Sequence, residues 1–147
     1  MIFSMIFTDE YGIPLPRGTA IDLQPSSPHT GIIDYLQTGD QVVIHNSKQR
    51  GQGVVTWPEE FNDGFIPVRY IAVPLSEEQG ELICQNAQYD VQRGVRWNPG
   101  DNCQDLVTRA YTGRNGSPTR DAVVLTLAVA GGLALAGRVI AEIFESA

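Results

Sequence analysis

The chain has 147 residues, 42% of them hydrophobic, so it is one ordinary domain that can bury a core without disulfide staples. Seventeen acidic against ten basic side chains give a formal net charge of -7, which repels phosphate backbones, so nucleic acid is not an expected partner. Two cysteines, Cys84 and Cys103, and two histidines, His29 and His45, are the whole stock of thiol and imidazole. That is too few for a secreted disulfide framework and fits a reducing, cytoplasmic compartment.

Met1 to Phe7 is apolar but lacks a basic flank and runs at once into Thr8-Asp9-Glu10, unlike a secretory signal. Between Tyr11 and Pro28 four prolines surround the short run Thr19 to Leu23, which predicts loop, edge strand, loop. His29 to Tyr35 and Gln41 to His45 flank the turn Thr38-Gly39-Asp40 and predict a hairpin. Gly53 to Trp57 and Arg69 to Val73 are two more strand-like runs, so the first half reads as a small, mostly antiparallel sheet. The loop from Asn46 to Gly53 carries Lys48 and Arg50, a basic spot that could hold an anionic partner or simply be solvated.

Ser76-Glu77-Glu78 supplies a helix N-cap and an acidic first turn ahead of Leu82, Ile83, Ala87 and Val91; Gly80 is a weak point in this helix, and Gly94 ends it. Asp101 or Asn102 can cap a second helix from about Cys103 to Tyr111, with Leu106, Val107 and Ala110 at helical spacing. Thr112 to Arg120 is turn-rich, and a hydrophobic helix is expected from Asp121 onward. Its uncharged stretch, Ala122 to Ala136, is shorter than the roughly 20 residues of a spanning helix unless it continues toward residue 144. It either contacts a membrane or covers an apolar face of the domain. The chain thus divides into a catalytic domain over 1–120 and a C-terminal helix over 121–147. Oligomeric state is not legible.

The chemistry has few places to sit. A cysteine at the first turn of a helix faces unpaired N–H groups and the positive end of the helix dipole, which favour a thiolate. Cys103 has that position. A sulfur nucleophile needs a base, usually an imidazole oriented by a third polar group. His29 opens one strand and His45 closes the next, so the hairpin brings both rings to one end of the sheet, where one can take the proton and the other hold it in place. A tetrahedral oxyanion would fall on the N–H groups at the helix start. The plainer readings are a buried structural cysteine and hydrogen-bonded strand-edge histidines. A metal site is disfavoured, because the ligands are single and widely separated. Cys84, beside Leu82 and Ile83 within the first helix, reads as a small buried hydrophobe.

Three motifs in order, His29-Thr30-Gly31-Ile32-Ile33, Val43-Ile44-His45-Asn46-Ser47 and Asn102-Cys103-Gln104-Asp105-Leu106-Val107, resemble the H-box and NC motifs of the lecithin retinol acyltransferase-like family. The resemblance covers about Thr19 to Tyr111. It implies an α+β fold, a circularly permuted, NlpC-type papain-like domain with a small antiparallel sheet packed against helices. It also implies Cys103 as nucleophile, His29 as base and His45 as the orienting third member. Family members attack a glycerophospholipid ester, form an acyl-thioester and pass the acyl group to water, an amine or an alcohol, with no metal or organic cofactor. Gln104-Asp105 stands where animal members usually read Glu-His, and the two histidines are a few residues further apart. Three functions follow as expectations. The first is a thiol acyltransferase or phospholipase A-type hydrolase, with phospholipid or another acyl compound as partner and membrane contact through 122–144. The others are a peptidoglycan or peptide amidase using the same Cys-His-His set, and a catalytically silent binding module.

Overall fold

The computed structural model describes residues 5–23, 29–63, 68–98 and 103–112. The expected C-terminal helix over 121–147, the membrane contact over 122–144 and the Asp101-Asn102 cap lie outside the described residues. Within the described residues no helix is long and apolar enough to cross a membrane.

Among the described residues five strands form a sheet: β1 (Ala20–Leu23), β2 (His29–Tyr35), β3 (Gln41–Ser47), β4 (Gln52–Thr56) and β5 (Val68–Ala72), in the spatial order β4-β3-β2-β1-β5. Every neighbouring pair is antiparallel. The β2–β3 hairpin forms as its sequence predicts: Gly39 takes φ +90°, the Leu36 and Asp40 main chains bond across the turn, and the Thr38 hydroxyl donates to Asp40. Among the described residues three helices accompany the sheet, α1 (Pro58–Phe61), α2 (Glu77–Gln92) and α3 (Cys103–Thr112). The Ser76 side chain caps α2 by accepting from the Gln79 N–H at 3.1 Å. At the other end, Gly94 at φ +70° donates to Val91 and Val95 donates to Asp90, a complete Schellman closure.

Alternation along the strands gives the sheet two apolar faces. On one, Ala20, Ile32, Ile44 and Ala72 pack with Ile83 and Cys84 of α2 and Leu106, Val107, Ala110 and Tyr111 of α3. On the other, Ile21, Leu23, Ile33 and Val43 pack with Phe61 of α1 and with Phe7 and Leu15. The helical face also holds a buried ion pair. Asp90 of α2 is fully buried, and Arg109 Nε of α3 and Arg93 Nε donate to its two oxygens at 2.7 and 3.1 Å. Asn86 Nδ2 reaches the Ala110 carbonyl at 3.1 Å, so α2 fixes the position of α3 by polar as well as apolar contact.

Several expectations are corrected. The run Thr19 to Leu23 is not an edge strand: β1 lies between β2 and β5, because Val68–Ala72 pairs along its outer side. β3 continues past His45 to Ser47, and the loop to β4 shrinks to Lys48–Gly51. The basic spot in that loop is already engaged, with Lys48 Nζ 5.2 Å from the Trp97 ring centroid and Arg50 paired with Glu60. Thr112 belongs to α3 rather than to a turn, and α1, a four-residue helix opened by Pro58, has no counterpart in the sequence reading. Gly80 weakens α2 locally but is required there, because a Cβ on it would stand 2.1 Å from the Arg17 carbonyl oxygen.

Candidate active site

The open end of the β2–β3 ladder is where the chemistry-bearing residues gather. The last paired residues of that ladder are Ile32 and Ile44. Beyond them β2 continues beside β1 through Thr30 and His29, whereas β3 continues beside β4 through His45, Asn46 and Ser47. The sheet therefore parts between its second and third strands. The Thr30 N–H, which has no β3 partner there, donates to Cys103 Sγ at 3.5 Å. Cys103 is the first residue of α3 and is 6% exposed. Its helix is held above the opening by Leu106 and Val107 against Ile32 and Ile44.

The two imidazoles come together as the hairpin predicts, with ring centroids 5.0 Å apart and planes at 89°. They lie on the α1 face, not the α3 face. His29 stacks on Phe61 at 4.4 Å and 20°, and His45 meets the same ring edge-on at 4.9 Å. Gly31 makes this possible: a Cβ there would stand 2.5 Å from Val43 and 3.0 Å from the Phe61 ring. His45 is 3% exposed, and its Nε2 is 2.9 Å from the Thr56 hydroxyl, while its Nδ1 is buried with no hydrogen-bond partner among the described residues. It is a core residue of a central strand, not a surface histidine at a strand edge.

The electrostatics follow from burial. Desolvation lowers the His29 pKa below the ordinary histidine value, partly offset by the charge of Asp22. For His45, desolvation, then the neighbouring His29, then Arg50 push the value down to about 3. Both rings are therefore neutral at neutral pH, the form in which an imidazole can accept a proton.

The structure thus brings His29 to His45, and it brings Cys103 to the main chain of the residue after His29. Among the described residues the sulfur's hydrogen-bond donor is the Thr30 N–H, not a ring nitrogen. Sulfur and ring approach the gap from opposite faces, one peptide unit apart along β2. Four residues of this region escape the sequence reading. Thr30 and Thr56 sit one or two alternation steps from named residues, but nothing in the sequence distinguishes them from other strand threonines. Phe61 lies on a helix too short to show periodicity, and Asp22 falls in a run that reads as an edge strand but is paired on both sides. No group of three His, Cys, Asp or Glu side chains among the described residues is arranged to hold a metal ion. No family model, no curated protein and no solved structure matches this chain.

Proposed function

We propose that this chain is a cysteine-dependent acyltransferase or phospholipase A-type hydrolase that takes the acyl group of a glycerophospholipid ester onto Cys103 as a thioester. The observation that carries the reading is the contact between Cys103 Sγ, at the start of α3, and the Thr30 N–H, immediately after His29 at the parted end of the sheet. An N–H donor and a helix N-terminus both favour negative charge on the sulfur that they face.

In this reading His29, neutral and half-buried, accepts the thiol proton once its ring turns from Phe61 toward the gap. Hydrogen bonds of this kind commonly tighten only when substrate is bound. The sulfur then attacks the ester carbonyl, and the N–H groups of the first turn of α3 receive the oxyanion. Burial makes the imidazolium of His29 reluctant to persist, so its proton returns to the departing alkoxide. His45, anchored by Thr56, is the orienting third member in this reading, bounding one side of the His29 ring by edge-to-face contact. The lipid ester as substrate is supported by the resemblance of the three motifs to the lecithin retinol acyltransferase-like family.

The test is incubation of the full chain with phosphatidylcholine vesicles and measurement of fatty acid release. Wild type releases fatty acid and Cys103→Ala does not. Equal release by the two proteins overturns the proposal.

A further inference from the structure

A base that acts on Cys103 has to come within hydrogen-bond reach of its sulfur, and α1 holds the His29 ring on the other face of the sheet. His29 is the first residue of β2, with its Cα beside Leu23 of β1. Its ring stacks on Phe61 at 4.4 Å and 20° and meets His45 at 5.0 Å and 89°. Phe61 is fixed in turn. It is 3% exposed, lies in the apolar cluster of Ile33 and Val43, and meets Phe7 edge-on at 6.0 Å. The sulfur lies against the Thr30 N–H, so ring and thiol are neighbours along β2 that the stack on Phe61 keeps apart.

The helix that carries Phe61 is a single turn. Its main chain bonds Glu60 and Phe61 back to the Trp57 carbonyl and Asn62 back to that of Pro58. One turn gains too little from its own hydrogen bonds to persist. Side chains pin α1 instead: Phe61 in the core, Glu60 paired with Arg50, and Glu59 Oε1 accepting the Met5 N–H at 3.1 Å. Trp57, at its N-cap, makes no side-chain capping bond and is 52% exposed. A small change in packing therefore moves α1 as a unit, and the support of the His29 ring moves with it.

We infer that α1 is an inhibitory latch: Phe61 holds His29 off Cys103 in the resting chain, and the base reaches the sulfur only when that stack opens. This rests on the thiol reading above and adds a control to the same site. A change of rotamer at His29, with its Cα left beside Leu23, is the smallest movement that takes the ring off Phe61. The thiol stays without its base until α1 yields. Phe61 acts through His29, so it is a positioning residue and not a catalytic one.

The experiment labels the full chain with iodoacetamide at about pH 7, where the thiolate is the reacting form, and reads Cys103 and Cys84 separately by peptide mass. Phe61→Leu and Phe61→Met keep most of the apolar volume. Each is expected to raise the Cys103 labelling rate by about fivefold or more, the scale of one aromatic pair, while Cys84 stays protected. Adding His29→Gln to either variant cancels the gain. A Phe61 that only fills the core gives a different pattern, in which both cysteines label faster and the gain survives His29→Gln. Where one variant unfolds, shown by loss of Cys84 protection, the other carries the measurement. No gain in a folded variant, or a gain that His29→Gln leaves in place, overturns the latch. Fatty acid release from phosphatidylcholine that is equal in wild type and Cys103→Ala overturns the thiol reading instead, whatever the labelling shows.

Discussion

Cys84 and Cys103 are almost equally buried, at 4% and 6% exposure, yet the chain treats their sulfurs in opposite ways. Cys84 lies in the middle of α2, and its S–H donates to the Ile33 carbonyl at 3.3 Å. Burial, reinforced by the charge of Asp34, pushes its thiol far above the usual range. Cys103 begins α3, and its sulfur accepts an N–H from Thr30. A carbonyl facing a thiol favours the proton, whereas an N–H facing a sulfur favours the charge. Burial alone therefore does not distinguish the two sulfurs; the main-chain groups that Cys84 and Cys103 meet are of opposite polarity.

Replacing the two cysteines breaks this comparison most sharply. Cys103→Ala is expected to lower fatty acid release by about 10³-fold or more, the scale of losing a covalent nucleophile. Cys84→Ala leaves the rate within about twofold and costs on the order of 1 kcal/mol of stability in urea unfolding, from the small cavity left. An active Cys103→Ala protein, or an inactive but folded Cys84→Ala one, reverses the assignment.

The next effect concerns the ion pair that ties the two cysteine-bearing helices together. Asp90→Ala leaves Arg109, whose side chain is only 12% exposed, without its carboxylate. A loss of about 3–5 kcal/mol is expected in denaturant unfolding, as for other broken buried pairs. If α3 is positioned by this contact, acyl transfer falls along with stability. A loss under about 1 kcal/mol would place the helix by apolar packing alone.

Acid stability is a third measure, set by the two buried histidines at the parted end of the sheet rather than by Cys84. His45 titrates near 3 in the fold against 6.5 ordinarily. Below pH 6.5 the unfolded chain binds a proton that the folded chain refuses, so stability is complete above that pH and declines as pH falls toward 3. The slope from His45 is up to about 1.4 kcal/mol per pH unit, and His29 adds to it with the same sign. Midpoints of urea unfolding between about pH 7 and pH 4 check this, and His45→Gln should flatten the slope by one proton. The smallest effect is expected at Thr56→Val, about 1 kcal/mol from one lost hydrogen bond to His45.

The convergence of His29 and His45 was legible in the sequence because a short turn joins their strands. Both helix starts were legible as well, Ser76 through its capping chemistry and Cys103 through the spacing of Leu106, Val107 and Ala110. The interior place of β1 was not, because it depends on pairing with β5 more than 40 residues away, which local patterning does not encode. Nor was the division of the site between two faces. Alternation shows that His29 and Thr30 point oppositely, but only the packing of α1 and α3 decides which face each helix covers. Asp22, Phe61 and the Asp90 pair were hidden for the same reason, since each acts through a partner on another element.

The most direct test of the account is the position of an acyl adduct. The full chain is mixed with p-nitrophenyl butyrate, quenched in acid and digested, and its peptides are weighed. The account predicts a hydroxylamine-sensitive acyl group on the peptide containing Cys103 and none on that containing Cys84. An adduct on Cys84, or fatty acid turnover with Cys103 never acylated, would contradict it.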